Sequence, residues 1–343
     1  MTFHIGPIPV ETNVLLAPMS GISDLPFRQA ALREGARYVV SEMVASEDLA
    51  GARPDVVLRA ALDDTNGPKV IQLAGREAKW MAEGAKIAEA MGADIIDINM
   101  GCPARKVTGL LSGSALMRDL DHAESLIRAT VDAVAVPVTL KMRLGWDWQS
   151  INAPALAQRA EAAGIKMLTV HGRTRCDFYK GQAKWSAVRA VTDATTLPLV
   201  VNGDIATADD ARAAMAQSGA IAVMVGRAVT GRLWLPRAMD EALARGGDIM
   251  MPPFDERGAL ATRHYRATVD HYRFGHSLGE NAGLSLGIRM ARKHLAALID
   301  ATPEFDRATA KAAKARLCTA HNPDEVTTEL ARLYTGCYAK DAA

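Results

Sequence analysis

One thiol stands where a run of aliphatic residues stops, in Asp97-Ile98-Asn99-Met100-Gly101-Cys102-Pro103. An unperturbed thiol, with a pKa of about 8.5, is mostly protonated near neutrality yet gives up its proton readily, which suits a general acid. Gly101 and Pro103 place Cys102 on a tight turn. Arg105 and Lys106 follow, to favour a thiolate or to contact phosphates, and the sequence leaves both roles open. Packing is the ordinary reading of a free cysteine, which is among the most buried residue types. Cys176, Cys318 and Cys337 keep that reading. Cys102 departs from it because of its company.

That company is a set of polar residues toward the ends of this and other aliphatic runs: Gln72, Asn99, Lys141, His171 and Asn202. A buried core has no use for amides, an amine and an imidazole pointing inward, because unpaired polar groups there cost free energy. One shared mouth accounts for all five. His171 alone would read as a hydrogen-bonded core histidine, whereas a lysine is rarely buried unpaired. Asn202-Gly203-Asp204 and Gly226-Arg227 add small residues and a cation. Glycine lets backbone N–H groups approach phosphate oxygens, and arginine offers a bidentate partner. A phosphorylated substrate and a phosphate-bearing cofactor both fit, with the cofactor favoured. Gln72 and Lys141 would then face the polar edge of an isoalloxazine ring, where a cation stabilises the anionic reduced form.

Eight short β-branched or aliphatic runs must position these residues, at 14–18, 38–42, 69–73, 95–99, 138–142, 167–171, 199–202 and 220–225. Ala-rich amphipathic stretches such as 77–93 and 151–166 lie between most of them. Gly92, Gly164 and Gly219 stand where such helices would end. The pattern predicts an α/β fold, a (β/α)8 TIM barrel with its chemistry at the C-terminal strand ends and a phosphate after the last two strands. A doubly wound sheet is the rival, but no G-x-G-x-x-G or Walker A run supports it. After Pro236 the strand pattern stops, and 256–275, 284–300 and 324–338 read as helices. The last has Asn322 as N-cap, Pro323 at its first position and Glu325 at its third. The expected division is a catalytic barrel over 1–244 and an all-α helical domain over 245–343.

At 343 residues, 49% hydrophobic and 23% charged, the chain has an ordinary globular composition and can bury a large core. Net charge is +1, yet from Arg257 onward 13 Lys/Arg stand against 9 Asp/Glu, with five of the eight histidines. A basic tail offers a phosphate-binding surface. Arg289, Arg292 and Lys293 fall at i, i+3 and i+4, and Arg263 and Arg266 repeat the i, i+3 spacing; a solvated face is the bland alternative. Scattered cysteines without metal-ligand spacing predict no disulfide framework, no metal and a reducing cytoplasm. No leader pattern and no uncharged apolar run approaching ~20 residues is present, so neither signal peptide nor membrane span is expected.

Nine segments occur in order: APMSGISDLPFR, SEMVAS, QLAG, DINMGCPARKV, GSALM, VTLKMRLGW, TVHGRTR, VNGDI and VGRAVTGRLW. With GIRMARKHL in the tail, they closely resemble the tRNA-dihydrouridine synthases, flavoenzymes that reduce uridine in tRNA, and most of all the bacterial DusB branch. The resemblance implies FMN contacts from Ala17, Pro18 and Met19, with Gln72, Lys141 and His171 around the ring. It implies phosphate contacts from Asn202, Gly203, Asp204, Gly226 and Arg227. Hydride from flavin N5 would reach uracil C6, and Cys102 would deliver the proton to C5 while Asn99 helps hold the base.

The implied partners are tRNA and NADPH, the latter visiting transiently. A folded RNA must extrude its target base to reach a barrel mouth, so Arg289, Arg292 and Lys293 are expected to meet its backbone. A monomer is expected. The segment RKHLAALID carries small or aliphatic residues where relatives often carry aromatics, which bears on tRNA docking. Two rivals remain. An FMN barrel acting on a free pyrimidine or dihydroorotate-like substrate would not need the basic tail. An RNA-binding protein with a vestigial barrel would not need Cys102, Lys141 and His171 together.

Overall fold

Every one of the eight aliphatic runs forms a strand, and the strands close on themselves in parallel. The computed structural model describes residues 2–62, 67–104, 111–275 and 279–335; Arg105, Lys106 and Cys337 lie outside the described residues. A hairpin of β1 (Phe3–Ile5) and β2 (Ile8–Val10) precedes the barrel strands β3 (Val14–Leu16), β4 (Val39–Ala45) and β5 (Lys69–Ala74). The remaining strands are β6 (Ile95–Met100), β7 (Val138–Arg143), β8 (Leu168–His171), β9 (Leu199–Asn202) and β10 (Ala222–Val225). Neighbours follow chain order, and β10 pairs with β3 to close the barrel. This is the TIM barrel expected; a doubly wound sheet would be open.

Register decides which polar residues meet. Gln72 pairs with Asp97, Asn99 with Lys141, and His171 with both Arg143 and Asn202. The five predicted site residues thus occupy consecutive strands at one end of the barrel.

The other end is filled by apolar side chains. Leu15, Tyr38, Val40, Val70, Ile95, Met167, Val200 and Met224 pack there with Ile5 and Val10 from the hairpin. That hairpin is absent from the sequence reading, because its three-residue strands around Gly6-Pro7 are too short to show alternation.

Helices α1 (Leu25–Arg33), α2 (Ser46–Ala50), α3 (Pro54–Ala60), α4 (Ala78–Ala90) and α5 (Leu120–Val131) surround the first strands. Helices α6 (Ala153–Ala162), α7 (Arg189–Thr192), α8 (Ala208–Ser218) and α9 (Leu235–Arg245) surround the rest. Gly92, Gly164 and Gly219 all have positive φ, as stops before the next strand require.

Beyond Gly246 come α10 (Phe254–Gly275), α11 (Glu280–Asp300), α12 (Arg307–Leu317) and α13 (Pro323–Tyr334). Asn322 caps α13 by accepting the Asp324 N–H at 2.9 Å. Helix α12 was not foreseen, because RATAKAAKARL has almost no apolar stripe beyond alanine. Helices α10 and α11 lie unusually close. A Cβ on Gly283 would stand 2.7 Å from the Tyr272 carbonyl oxygen, and one on Gly287 2.6 Å from that of Val269. This contact brings the middle of α11 up to α1 of the barrel, where Phe27 packs against His264 and His294. Among the described residues no helix is long and apolar enough to cross a membrane.

Candidate active site

Cys102 follows the end of β6, half-buried, on a turn held from three directions. Its N–H donates to Asn99 Oδ1 at 2.9 Å, and the Gly101 N–H donates to the same oxygen at 3.1 Å. Its carbonyl accepts the Ser114 hydroxyl at 2.8 Å and the Ser114 N–H at 3.1 Å. Arg143 Nε reaches the Gly101 carbonyl at 2.8 Å. The backbone that carries the thiol is thus tied down at the mouth.

Asn99 is itself part of a directional chain. Its Nδ2 donates to Gln72 Oε1 at 2.8 Å, and Gln72 Nε2 donates to Asp97 Oδ2 at 2.6 Å. The other Asp97 oxygen accepts the Thr139 hydroxyl at 2.6 Å. Asp97 is buried at 3% exposure, and burial raises its pKa against the opposing bonds from Thr139 and Gln72 and the charge of Lys141. Across the mouth, Lys141 Nζ donates to Asn202 Oδ1 at 3.0 Å, and Asn202 Nδ2 to the Met224 carbonyl at 2.7 Å. Burial lowers the Lys141 pKa to about 8, and the Asp97 carboxylate works against that shift.

His171 is buried beside Arg173, whose Nη1 lies 3.2 Å from its Nε2. A guanidinium only donates, so Nε2 accepts and the ring proton sits on Nδ1. Burial, with the charges of Lys141, Arg143, Arg173 and Arg227, pushes its pKa well below the ordinary imidazole value. The ring is neutral.

Gly203 and Asp204 follow β9 with φ of +119° and +54°. A Cβ on Gly203 would strike the His171 ring at 2.7 Å, so glycine is required here for packing as well as for backbone conformation. The Asp204 carboxylate holds Arg173 at 2.5 Å and Arg227 at 3.2 Å. Ala17 closes β3 onto β10 through its N–H to the Val225 carbonyl at 2.8 Å. A Cβ on Gly226 would lie 3.7 Å from that of Ala17 and 3.8 Å from Met19 Sδ, so the first and last strand ends form one wall. Pro18 stands between them in the chain, half-buried.

The chain that carries this mouth is similar to known proteins over most of its length. Residues 15–324 match the family described as Dihydrouridine synthase (Dus). The chain belongs to the dihydrouridine synthase family. Its members are flavin-dependent oxidoreductases. A probable tRNA-dihydrouridine synthase of Rhizobium leguminosarum bv. phaseoli is 50% identical over 325 residues, covering 95% of each chain. One from Rhodobacter capsulatus is 51% identical over 319 residues, 91% of this chain and 95% of that one. The tRNA-dihydrouridine synthase B of Pseudomonas aeruginosa is 40% identical over 292 residues, 85% of each.

Among solved structures, 2-naphthoyl-CoA reductase superposes with a TM-score of 0.56 at 11% identity, over 72% of this chain and 52% of that one. Morphinone reductase, in complex with tetrahydroNAD, does so at 0.50 and 14%, over 74% and 92%. At such identities the likeness is one of fold.

Within the barrel, the structure brings Gln72, Asn99, Cys102, Lys141, His171 and Asn202 together. Three participants went unrecognised in the sequence: Asp97, Arg143 and Arg173. Each stands two residues from a recognised one on its strand, or on the turn after it, so period-two spacing was the available signal. The tail residues differ from a simple exposed stripe. Arg289 is exposed, Arg292 reaches the Ala320 carbonyl at 3.4 Å, and Lys293 is half-buried with its charge acting on Asp24 and Glu42. Arg263 pairs with Glu34 at 3.5 Å and Arg266 with Asp324 at 3.2 Å, so both have partners within the chain.

Proposed function

We propose that the protein reduces uridine in tRNA to 5,6-dihydrouridine, with FMN as its flavin and NADPH as the reductant. The observation that carries this reading is the clamped Cys102 turn, which sets one thiol at the barrel mouth beside Lys141 and Asn99. The names of the relatives, tRNA-dihydrouridine synthase and its B type, support the substrate class.

The donor set fits a flavin mononucleotide. Lys141 supplies a buried amine for the ring's electron-rich edge, and Gln72 stands two strands away. The left-handed turn at Gly203-Asp204, with Gly226 and Arg227, offers backbone N–H groups and a guanidinium to a phosphate. Asp204 serves that site through its backbone, its carboxylate being occupied in holding Arg227. Ala17, Pro18 and Met19 wall the ring. The bound flavin supplies the hydride that uracil C6 receives.

Cys102 then protonates C5, where the C4 carbonyl has let charge accumulate. Asn99 both orients that thiol and helps hold the base. His171, neutral with Nε2 accepting from Arg173, holds the ring without serving as the acid. Residues 1–244 form the catalytic barrel in this reading, and 245–343 the tRNA-binding helical domain, with Arg289, Arg292 and Lys293 toward the RNA. The enzyme acts as a cytoplasmic monomer.

The test is direct. Flavin released from purified protein is identified by chromatography, and unmodified tRNA is incubated with protein and NADPH and digested to nucleosides. FMN together with NADPH-dependent dihydrouridine supports the reading. A different flavin, or tRNA left unreduced, overturns it.

A further inference from the structure

Three residues distant in sequence meet where the tail helices dock on the barrel: Asp24, which caps α1, His264 of α10 and His294 of α11. One ligand atom from each lies within 4.8 Å of the others. They are exposed by only 2%, 7% and 6%. Asp24 accepts the Phe27 N–H and the Tyr272 hydroxyl at 3.1 Å each, one on either oxygen, and each oxygen keeps a further lone pair. The imidazoles are less well provided for. His264 Nε2 and both ring nitrogens of His294 have no hydrogen-bond partner. Phe27 faces both rings at centroid distances of 5.8 and 5.5 Å and offers them no polar atom. Buried nitrogens of this kind normally find partners.

We propose that Asp24, His264 and His294 bind a divalent transition-metal ion of the zinc class, which fastens the tail helices to the barrel. Two imidazoles and one carboxylate form a donor set suited to zinc, whereas calcium and magnesium prefer oxygen throughout. Bonds of about 2.0–2.1 Å set donor atoms roughly 3.3 Å apart in a tetrahedral site, so the side chains close in on the ion by small rotations.

His264 and His294 also line a small cavity of about 30 Å³ between the tail helices and the barrel. Lys293, next to His294, brings a competing cation toward Asp24; Glu42 remains as its partner once the metal neutralises that carboxylate. None of this is written in local spacing, since the three ligands are separated by 240 and 30 positions.

The full flavin-loaded chain is dialysed against chelator and titrated with cobalt(II), then with zinc(II). The expected result is one equivalent bound, a visible cobalt band displaced by zinc, and a melting midpoint that rises with zinc. His264→Gln and His294→Gln should each lose the band while keeping the helical circular dichroism. In wild-type protein, paramagnetically shifted proton resonances from two imidazole rings give a second reading that needs no variant. A wild-type chain that takes up no equivalent overturns the proposal. So does a band undiminished in a folded variant, or a cobalt spectrum with no shifted imidazole signals.

Discussion

Asn99 Oδ1 accepts the backbone N–H of Cys102 at 2.9 Å, so the residue that would hold the base also fixes the backbone that carries the thiol. That orientation of the Asn99 amide is inherited. Gln72 Oε1 occupies its NH2 group, and Asp97 occupies the NH2 group of Gln72. A carboxylate only accepts, so Asp97 fixes the sense of both amides from one end of the chain. Asparagine can donate as well as accept and would permit the reversed order. Asp97→Asn should therefore slow flavin reoxidation by tRNA about tenfold or more, equivalent to about 1.4 kcal/mol of barrel-mouth positioning, while flavin content stays constant. A wild-type reoxidation rate in a yellow variant would remove Asp97 from this role.

Cys102→Ala should leave flavin binding and reduction by NADPH intact, because neither step needs a proton at uracil C5. Single-turnover reoxidation by unmodified tRNA under anaerobic conditions should slow by ~10²–10⁴-fold, the usual contribution of a positioned general acid. Cys102→Ser should not restore the rate, since a hydroxyl is a much weaker acid. Wild-type kinetics in the alanine variant would make Cys102 a packing residue. The neutral His171, its Nε2 engaged by Arg173, is a poor substitute, so the loss should be large.

Much of this site was legible because a barrel repeats one rule eight times. Polar residues at Gln72, Asn99, Lys141, His171 and Asn202 each ended an aliphatic run, and closure alone gathers such ends. What stayed hidden depends on side chains reaching across strands. Arg173 serves His171 and Asp204 together, which no spacing announces. Gly203 looked like a phosphate turn, yet the His171 ring also demands it by contact. The tail was less legible still. Spacing put Arg289, Arg292 and Lys293 on one side of a helix, but docking gave Lys293 the acidic neighbours Asp24 and Glu42.

Arg227 is 65% exposed along its side chain and is held by Asp204 at 3.2 Å. Arg227→Ala should weaken flavin retention by about ten- to a hundredfold, the loss of one charge-assisted bond worth roughly 1.5–3 kcal/mol. Asp204→Asn should weaken it less, by freeing Arg227 and Arg173 to wander. Flavin content after extensive dialysis and the dissociation constant of added FMN measure both. Full retention by Arg227→Ala would place the phosphate elsewhere.

The exposed Arg289 and the half-buried Lys293 should behave differently toward RNA. If Arg289 meets one phosphate, Arg289→Gln should lower the log–log salt slope of tRNA binding by about 0.7–0.9. Lys293→Met should change it less, because Asp24 and Glu42 already compensate that charge. NADPH-driven flavin reduction without RNA should be the same in both. A slope unaltered by Arg289→Gln would sink the RNA-facing assignment of this helix.

Lys141 makes a prediction about stability rather than rate. Burial lowers its pKa from 10.5 to about 8 in the folded protein. Between about pH 8 and 10.5 the unfolded chain therefore binds more protons at this residue than the folded one, and stability rises with pH across that window. Below pH 8 both states are charged and the full penalty of burying the ammonium is present. Above 10.5 both are neutral and it vanishes. At 1.36 kcal/mol per unit, the penalty is on the order of 3 kcal/mol. Lys141→Met removes it at every pH, and also strands Asn202 Oδ1, a loss that does not depend on pH. In flavin-free protein, the unfolding free energy of wild type minus variant should thus climb from pH 8 to 10 and stay flat from pH 6 to 7.5. Urea titrations at those values measure it. A difference flat throughout would mean that Lys141 keeps an ordinary pKa, and that its ammonium is better solvated at the mouth than its burial implies.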